Sequence, residues 1–118
     1  MKMQTLDEFI VGSTTNWPNN AWVRERGFES LYVRVARRHL EGEWRVTIDI
    51  ANVTARKPGR GTFTKLLQRL KKDYPHLTIF VESALEQRFR NKLVKWGFVE
   101  REGEPHNFYL LPEKELMV

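Results

Sequence analysis

Apolar and polar residues alternate from Glu29 onward: Leu31, Val33 and Val35 hold one phase, Tyr32, Arg34 and Ala36 the other. Period two is the spacing of a strand with one buried face. Past Glu41-Gly42-Glu43 the period resumes, with Val46, Ile48 and Ile50 opposed to Thr47, Asp49 and Ala51. Two such runs around a short glycine turn predict an antiparallel hairpin. The phase slips at Asn52 and Val53. Either the strand ends at Ala51, or an extra residue forms a bulge and turns the later side chains across the sheet.

The period then lengthens. Phe63, Leu66, Leu67 and Leu70 stand at i, i+3, i+4 and i+7, the core-facing stripe of a helix over 61–73. Tyr74-Pro75 ends it, because the residue before a proline disfavours helical geometry. Leu77 to Val81 is a short, nearly unbroken apolar run, as a central parallel strand covered on both faces requires. Ser83 and Glu86 have capping-box spacing for a following helix, whose inward residues are Leu85, Phe89, Leu93 and Trp96, with Gly97 closing it,. Phe98–Arg101 and Asn107–Leu111 read as a last hairpin. At the other end, Thr5 and Glu8 form a capping box for a short helix, 13–20 reads as loop, and 21–26 as one helical turn before Gly27,. The expected architecture is a single α/β domain over 1–118. It has a mixed sheet in which only 46–53 and 77–82 are parallel neighbours, with the 61–73 helix crossing between them.

Between the hairpin and that helix lies the segment with the most chemistry, Ala55-Arg56-Lys57-Pro58-Gly59-Arg60-Gly61-Thr62. No Ser, Thr, Asp or Asn caps the helix start, so its first N–H groups have no internal partner. Free N–H groups, the positive end of the helix dipole and three cations make a site for phosphate or pyrophosphate. Gly59 and Gly61 let a ligand oxygen approach the backbone. The Gly-Lys-Ser/Thr tail of a Walker A loop is missing, and Thr64 stands where a dinucleotide fingerprint needs its third glycine,.

Composition narrows the field. The 118 residues, 41% hydrophobic and 12% aromatic, are enough for one globular core,. There is no cysteine, hence no disulfide, thiolate metal site or Cys nucleophile, and His39, His76 and His106 lack metal-ligand spacing,. No metal is expected. No apolar run is long enough to span a bilayer, and Met1 to Ile10 is too polar for a secretion signal,. The expectation is a cytoplasmic protein without a membrane partner. A net charge of +5 favours anionic partners without choosing among nucleic acid, acidic protein and polyphosphate,. Arg69, Lys71, Lys72, Arg88 and Arg90 read as solvated helix surface.

The segment Arg56-Lys57-Pro58-Gly59-Arg60-Gly61 resembles the Arg/Gln-x-x-Gly-x-Gly/Ala signature of the GNAT acyltransferases. Downstream, the buried strand, the next helix and Lys95-Trp96-Gly97-Phe98 resemble the family's closing Gly-Phe. Together these segments cover about half of the chain; the N-terminal third shows no such likeness. The resemblance implies a short, N-terminally reduced GNAT-like fold that uses acetyl-CoA as co-substrate. Its pyrophosphate would lie on Arg56, Lys57, Gly59, Arg60, Gly61 and Thr62, and its pantetheine arm against a bulge at Asn52 and Val53. It further implies N-acetyl transfer to a primary amine on a small molecule or protein. The family's usual acid, a Tyr four residues before the closing glycine, is Leu93 here.

Glu82 is the base candidate, since it ends the presumed central strand where open sheets place their ligands. Helix-dipole stabilisation is the competing explanation for that carboxylate. Asp49 points opposite to Ile48 and Ile50, on the polar face of Tyr32 and Arg34, where an amine-binding cleft and a salt bridge to Arg34 are equal readings. Two other functions remain open: a catalytically inactive GNAT-like module that binds a partner protein, and a basic nucleic-acid binder using Arg56, Lys57, Arg60, Trp17 and Trp22. The acceptor and the oligomeric state are not legible in the chain.

Overall fold

The computed structural model describes residues 3–13 and 19–118. Helix α1 (Leu6–Gly12) starts at the expected capping box: Glu8 N donates to Thr5 Oγ1 at 3.1 Å and Thr5 N donates to Glu8 Oε1 at 2.9 Å. Strand β1 (Asn19–Trp22) follows. This corrects two expectations, a loop reaching residue 20 and a helical turn from 21. Two asparagines argue locally against a strand, but pairing to a long neighbour outweighs that preference. Residues 14–18 of the expected loop, Trp17 among them, lie outside the described residues.

Strands β2 (Phe28–Leu40) and β3 (Glu43–Ala55) form the predicted hairpin around Glu41-Gly42. Tyr32 pairs with Asn52 and Val33 with Ile50, so Ala51 is left unopposed. The phase slip is therefore a bulge, and β3 does not end at Ala51. Its physical cause is visible: the extra residue keeps Val53 packed against the core while Asn52 stays exposed. Helix α2 (Thr62–Asp73) buries Leu66, Leu67 and Leu70. Strand β4 (Thr78–Val81) is buried at every position, and helix α3 (Gln87–Lys95) anchors through Leu93. Strands β5 (Val99–Glu100) and β6 (Phe108–Leu110) make the last hairpin.

The sheet order is β1-β2-β3-β4-β6-β5. Among these strands β3 and β4 are the parallel pair, and all other neighbours are antiparallel. The chain is thus an α+β domain on one mixed sheet, with α2 connecting the parallel strands. The main core joins Leu6, Phe9, Leu67, Leu70 and Leu93 of the helices to Leu31, Val33, Ile48, Ile50 and Ile79 of the sheet. The three described helices therefore cover one face. The other face holds a smaller cluster of Leu40, Phe80, Tyr109 and Leu111. No described helix is long and apolar enough to cross a membrane.

The start of α3 differs from expectation. Ser83 has φ +54°, whereas an N-cap residue is extended. Its backbone N–H donates to Asn107 Oδ1 at 2.8 Å, and Ala84 N donates to His106 O at 2.7 Å. These contacts hold 83–84 against the turn before β6, so the helix begins only at Gln87, without a side-chain cap. Leu85 falls before the helix and is 74% exposed, not inward.

Candidate functional site

Pairing between β3 and β4 runs from Thr47 opposite Thr78 to Ile50 opposite Val81, with one further bond from Glu82 N to Ile50 O at 3.0 Å. Beyond that point β3 continues to Ala55 against β2, while the chain after β4 turns away. The two strands part, and the gap is a cleft of about 700 Å³, a size typical of small-ligand sites. Asn52 and Val53 line one wall and Glu82 and Ser83 the other, with Pro58, Phe63 and Phe89 between. Phe63 and Phe89 meet edge to face with centroids 5.3 Å apart, which gives the cleft an apolar lining,.

The basic loop borders the cleft at Pro58, while Arg56, Lys57, Gly59, Arg60, Gly61 and Thr62 lie outside its lining. Gly61 is the N-cap of α2 at φ +73°, in the left-handed region, and no side chain caps the helix. The Thr64 hydroxyl donates to Gly61 O at 2.8 Å instead, so the leading N–H groups of α2 keep no side-chain partner. A Cβ on Gly61 would meet Thr64 Oγ1 at 3.5 Å, an ordinary contact, and one on Gly59 would meet nothing within 4 Å. The space over the loop is open. Gly27 sets the loop's height: a Cβ there would come within 2.7 Å of Thr62 Cγ2, and its carbonyl accepts from Arg56 N at 2.9 Å. One glycine thus holds both ends of the loop close to the body of the protein.

Charge distribution separates two kinds of cation. Arg34, Arg38, Arg45, Arg69 and Arg101 each have a carboxylate partner. Arg69 was expected on solvated surface; it instead ties Asp7, Glu25 and Asp73 together, and Lys71 donates to the carbonyls of Pro112 and Lys114. By contrast Arg56, Lys57 and Arg60 on the loop, and Arg88 and Lys92 on the facing α3 wall, form no ion pair among the described residues. Sequence reasoning missed Arg88 and Lys92, although their four-residue spacing on one helix face carried the signal.

At the inner end of the cleft, Glu82 Oε2 accepts from Arg34 Nε at 2.7 Å and lies 3.7 Å from Arg38 Nη2. Arg38 Nη2 also lies 2.6 Å from Asp49 Oδ2, and Thr47 Oγ1 donates to Asp49 Oδ1 at 2.6 Å. Asp49's partner is therefore Arg38, not Arg34, because the Arg34 side chain reaches past it to Glu82. Asp49 is fully buried. Burial pushes its carboxyl up to about 6, against the opposing pull of Arg38 and Thr47,. The Arg38 guanidinium stacks 4.0 Å over the Phe80 ring, which roofs the network. Tyr32 and Trp22 continue this helix-free face, with ring centroids 4.9 Å apart.

The structure thus brings Glu82, Asn52 and Val53 together around the cleft, with Pro58 of the Arg56–Thr62 loop, and leaves Asp49 behind them without access. Leu93 is wholly buried and does not line the cleft. Among the described residues no group of three or more His, Asp or Glu is placed to hold a metal ion. No protein-family model matches the chain, and a search of curated proteins gave no match.

Proposed function

We propose that this chain is a GNAT-like N-acetyltransferase that uses acetyl-CoA and a primary amine. One observation carries the reading: the parallel strands part beside a bulge, and the resulting cleft is bordered by Pro58 of the basic loop and Phe63 of the uncapped helix α2. The unopposed edge of β3 beyond Ile50 offers backbone groups to an amide-bearing arm, as in strand addition. The N–H groups of α2 with Arg56, Lys57 and Arg60 suit a pyrophosphate. Arg88 and Lys92 across the cleft suit a further phosphate.

In the reaction the amine nitrogen attacks the thioester carbonyl, the new C–N bond forms, and the C–S bond breaks to release CoA thiolate. Glu82 receives the proton that the amine loses, directly or through water. No side chain is required to protonate the thiolate, which is a stable leaving group near neutral pH; this fits the buried Leu93. Calorimetry with acetyl-CoA and CoA, followed by thiol release against amines and proteins, tests the proposal. Absence of nucleotide binding would refute it.

The commitment of Glu82 to Arg34 favours a second reading, a partner-binding module that keeps the cleft without turnover. Tight acetyl-CoA binding with no thiol release across the panel would select it. The nucleic-acid reading has less support, because Trp22 lies on the helix-free face whereas α2 and its basic loop lie on the other.

A further inference from the structure

We propose that the helix-free face beside Glu82 is the acceptor site, and that it takes a free α-amino acid with a flat, apolar side chain. This rests on the acetyl-transfer reading for its chemistry, but the geometry is independent of the basic loop. Glu82 lines the cleft from one side and accepts Arg34 on the other. An acceptor laid on the helix-free face therefore reaches the inner end of the cleft without crossing the space for the nucleotide.

The face has a built wall and a free donor. Trp22 is 49% exposed, although it packs on Tyr32 at a 52° tilt. Tyr32 is fixed in turn by donating its hydroxyl to Asn20 Oδ1 at 2.6 Å. An indole held half bare beside a second ring is a ready stacking surface. Arg34 lies over the Tyr32 ring at 5.6 Å. It gives only Nε to Glu82, and its side chain is one-third exposed. Its Nη groups carry no hydrogen bond among the described residues, so the outer edge of the guanidinium is left to a ligand carboxylate.

The local charges balance: Arg34 and Arg38 face Asp49 and Glu82. A balanced site favours a zwitterion over a simple cation or anion. Its two polar ends, the Glu82 carboxylate and the free Arg34 edge, are bonded to each other and hence adjacent. An α-amino acid carries its ammonium and carboxylate on a single carbon, which matches that adjacency. The ammonium goes to Glu82, the carboxylate to Arg34, and the side chain to Trp22 and Tyr32.

The test is calorimetry of the full chain with L-phenylalanine, with and without saturating CoA. Phenethylamine, 3-phenylpropionate and L-alanine each lack one element and should bind at least about tenfold weaker, the effect of roughly one charge-assisted bond or one ring contact. Arg34→Gln should erase the preference for L-phenylalanine over phenethylamine. Trp22→Ala, at a half-exposed position outside the buried core, should erase the preference over L-alanine. No L-phenylalanine binding to the wild type, or binding unchanged in both variants, would overturn the inference. So would equal binding of phenylalaninamide, which would assign the site to a peptide amino terminus. A protein that binds acetyl-CoA but no amino acid fails this inference alone. One that binds L-phenylalanine but no acetyl-CoA fails the acetyl-transfer reading alone.

Discussion

Replacing Gly61 by Asp should separate cofactor binding from folding. The position is left-handed, φ +73°, and a Cβ there meets only Thr64 Oγ1 at 3.5 Å. No clash is expected within the protein. A non-glycine residue in this region costs roughly 1 kcal/mol, and Asp is among the residues that bear it best. Against that, a carboxylate at the start of α2 complements the dipole, a gain of about 0.3–1 kcal/mol, although the left-handed backbone denies it the extended geometry of a capping side chain. The two nearly cancel, so chemical denaturation should show a change within about 1 kcal/mol. Binding should respond very differently. The new carboxylate occupies the space over the loop and repels phosphate at contact distance. Acetyl-CoA affinity should fall more than about 100-fold, the loss of at least one charge-assisted hydrogen bond plus a like-charge contact. Arg60→Ala, which keeps the backbone intact, should lose roughly 10- to 150-fold, or about 1.5–3 kcal/mol. Titration calorimetry measures both. Unchanged affinity in both variants would refute the pyrophosphate site, and a Gly61→Asp protein that fails to fold would refute the stability argument.

Glu82→Gln keeps the shape and a hydrogen bond to Arg34 but removes the proton acceptor; turnover should drop about 10²- to 10⁴-fold with acetyl-CoA affinity nearly unchanged, read by thiol release. Asp49 should mark the pH dependence of stability: raised to about 6 when folded and near 3.9 when unfolded, it stabilises below pH 4 and loses that contribution as pH rises to 6, about two units or roughly 3 kcal/mol. Urea unfolding between pH 4 and 7 should therefore show wild type losing up to roughly 3 kcal/mol more than Asp49→Asn as pH rises, and parallel curves would exclude the assignment. Leu93→Tyr should destabilise the fold by about 1–3 kcal/mol through overpacking and an unpartnered hydroxyl, without adding activity, because Leu93 is fully buried,; a faster variant would contradict the burial argument.

Some of this was determined by the sequence alone. The hairpin and α2 were legible because each has one buried face and a clean period, and β4 because it is a short unbroken apolar run; both signals are local,. The slip at Asn52 and Val53 admitted two readings, and Val53 needing the core decided for the bulge. The uncapped, glycine-rich cationic loop and the position of Glu82 at a strand end were equally plain, being neighbours in sequence. Other features were decided by tertiary structure, because they depend on residues far apart in the chain. Strand β1 exists through pairing with β2, against the preference of its asparagines. Ser83 lost its capping role to contacts with 106–107. Arg38 rather than Arg34 took Asp49, since side-chain reach across a twisted sheet, not proximity in the pattern, fixes ion pairs. The cleft itself, and the turning of Arg88 and Lys92 toward it, arise only where β3 outruns β4, and strand length relative to a partner is written in neither strand alone.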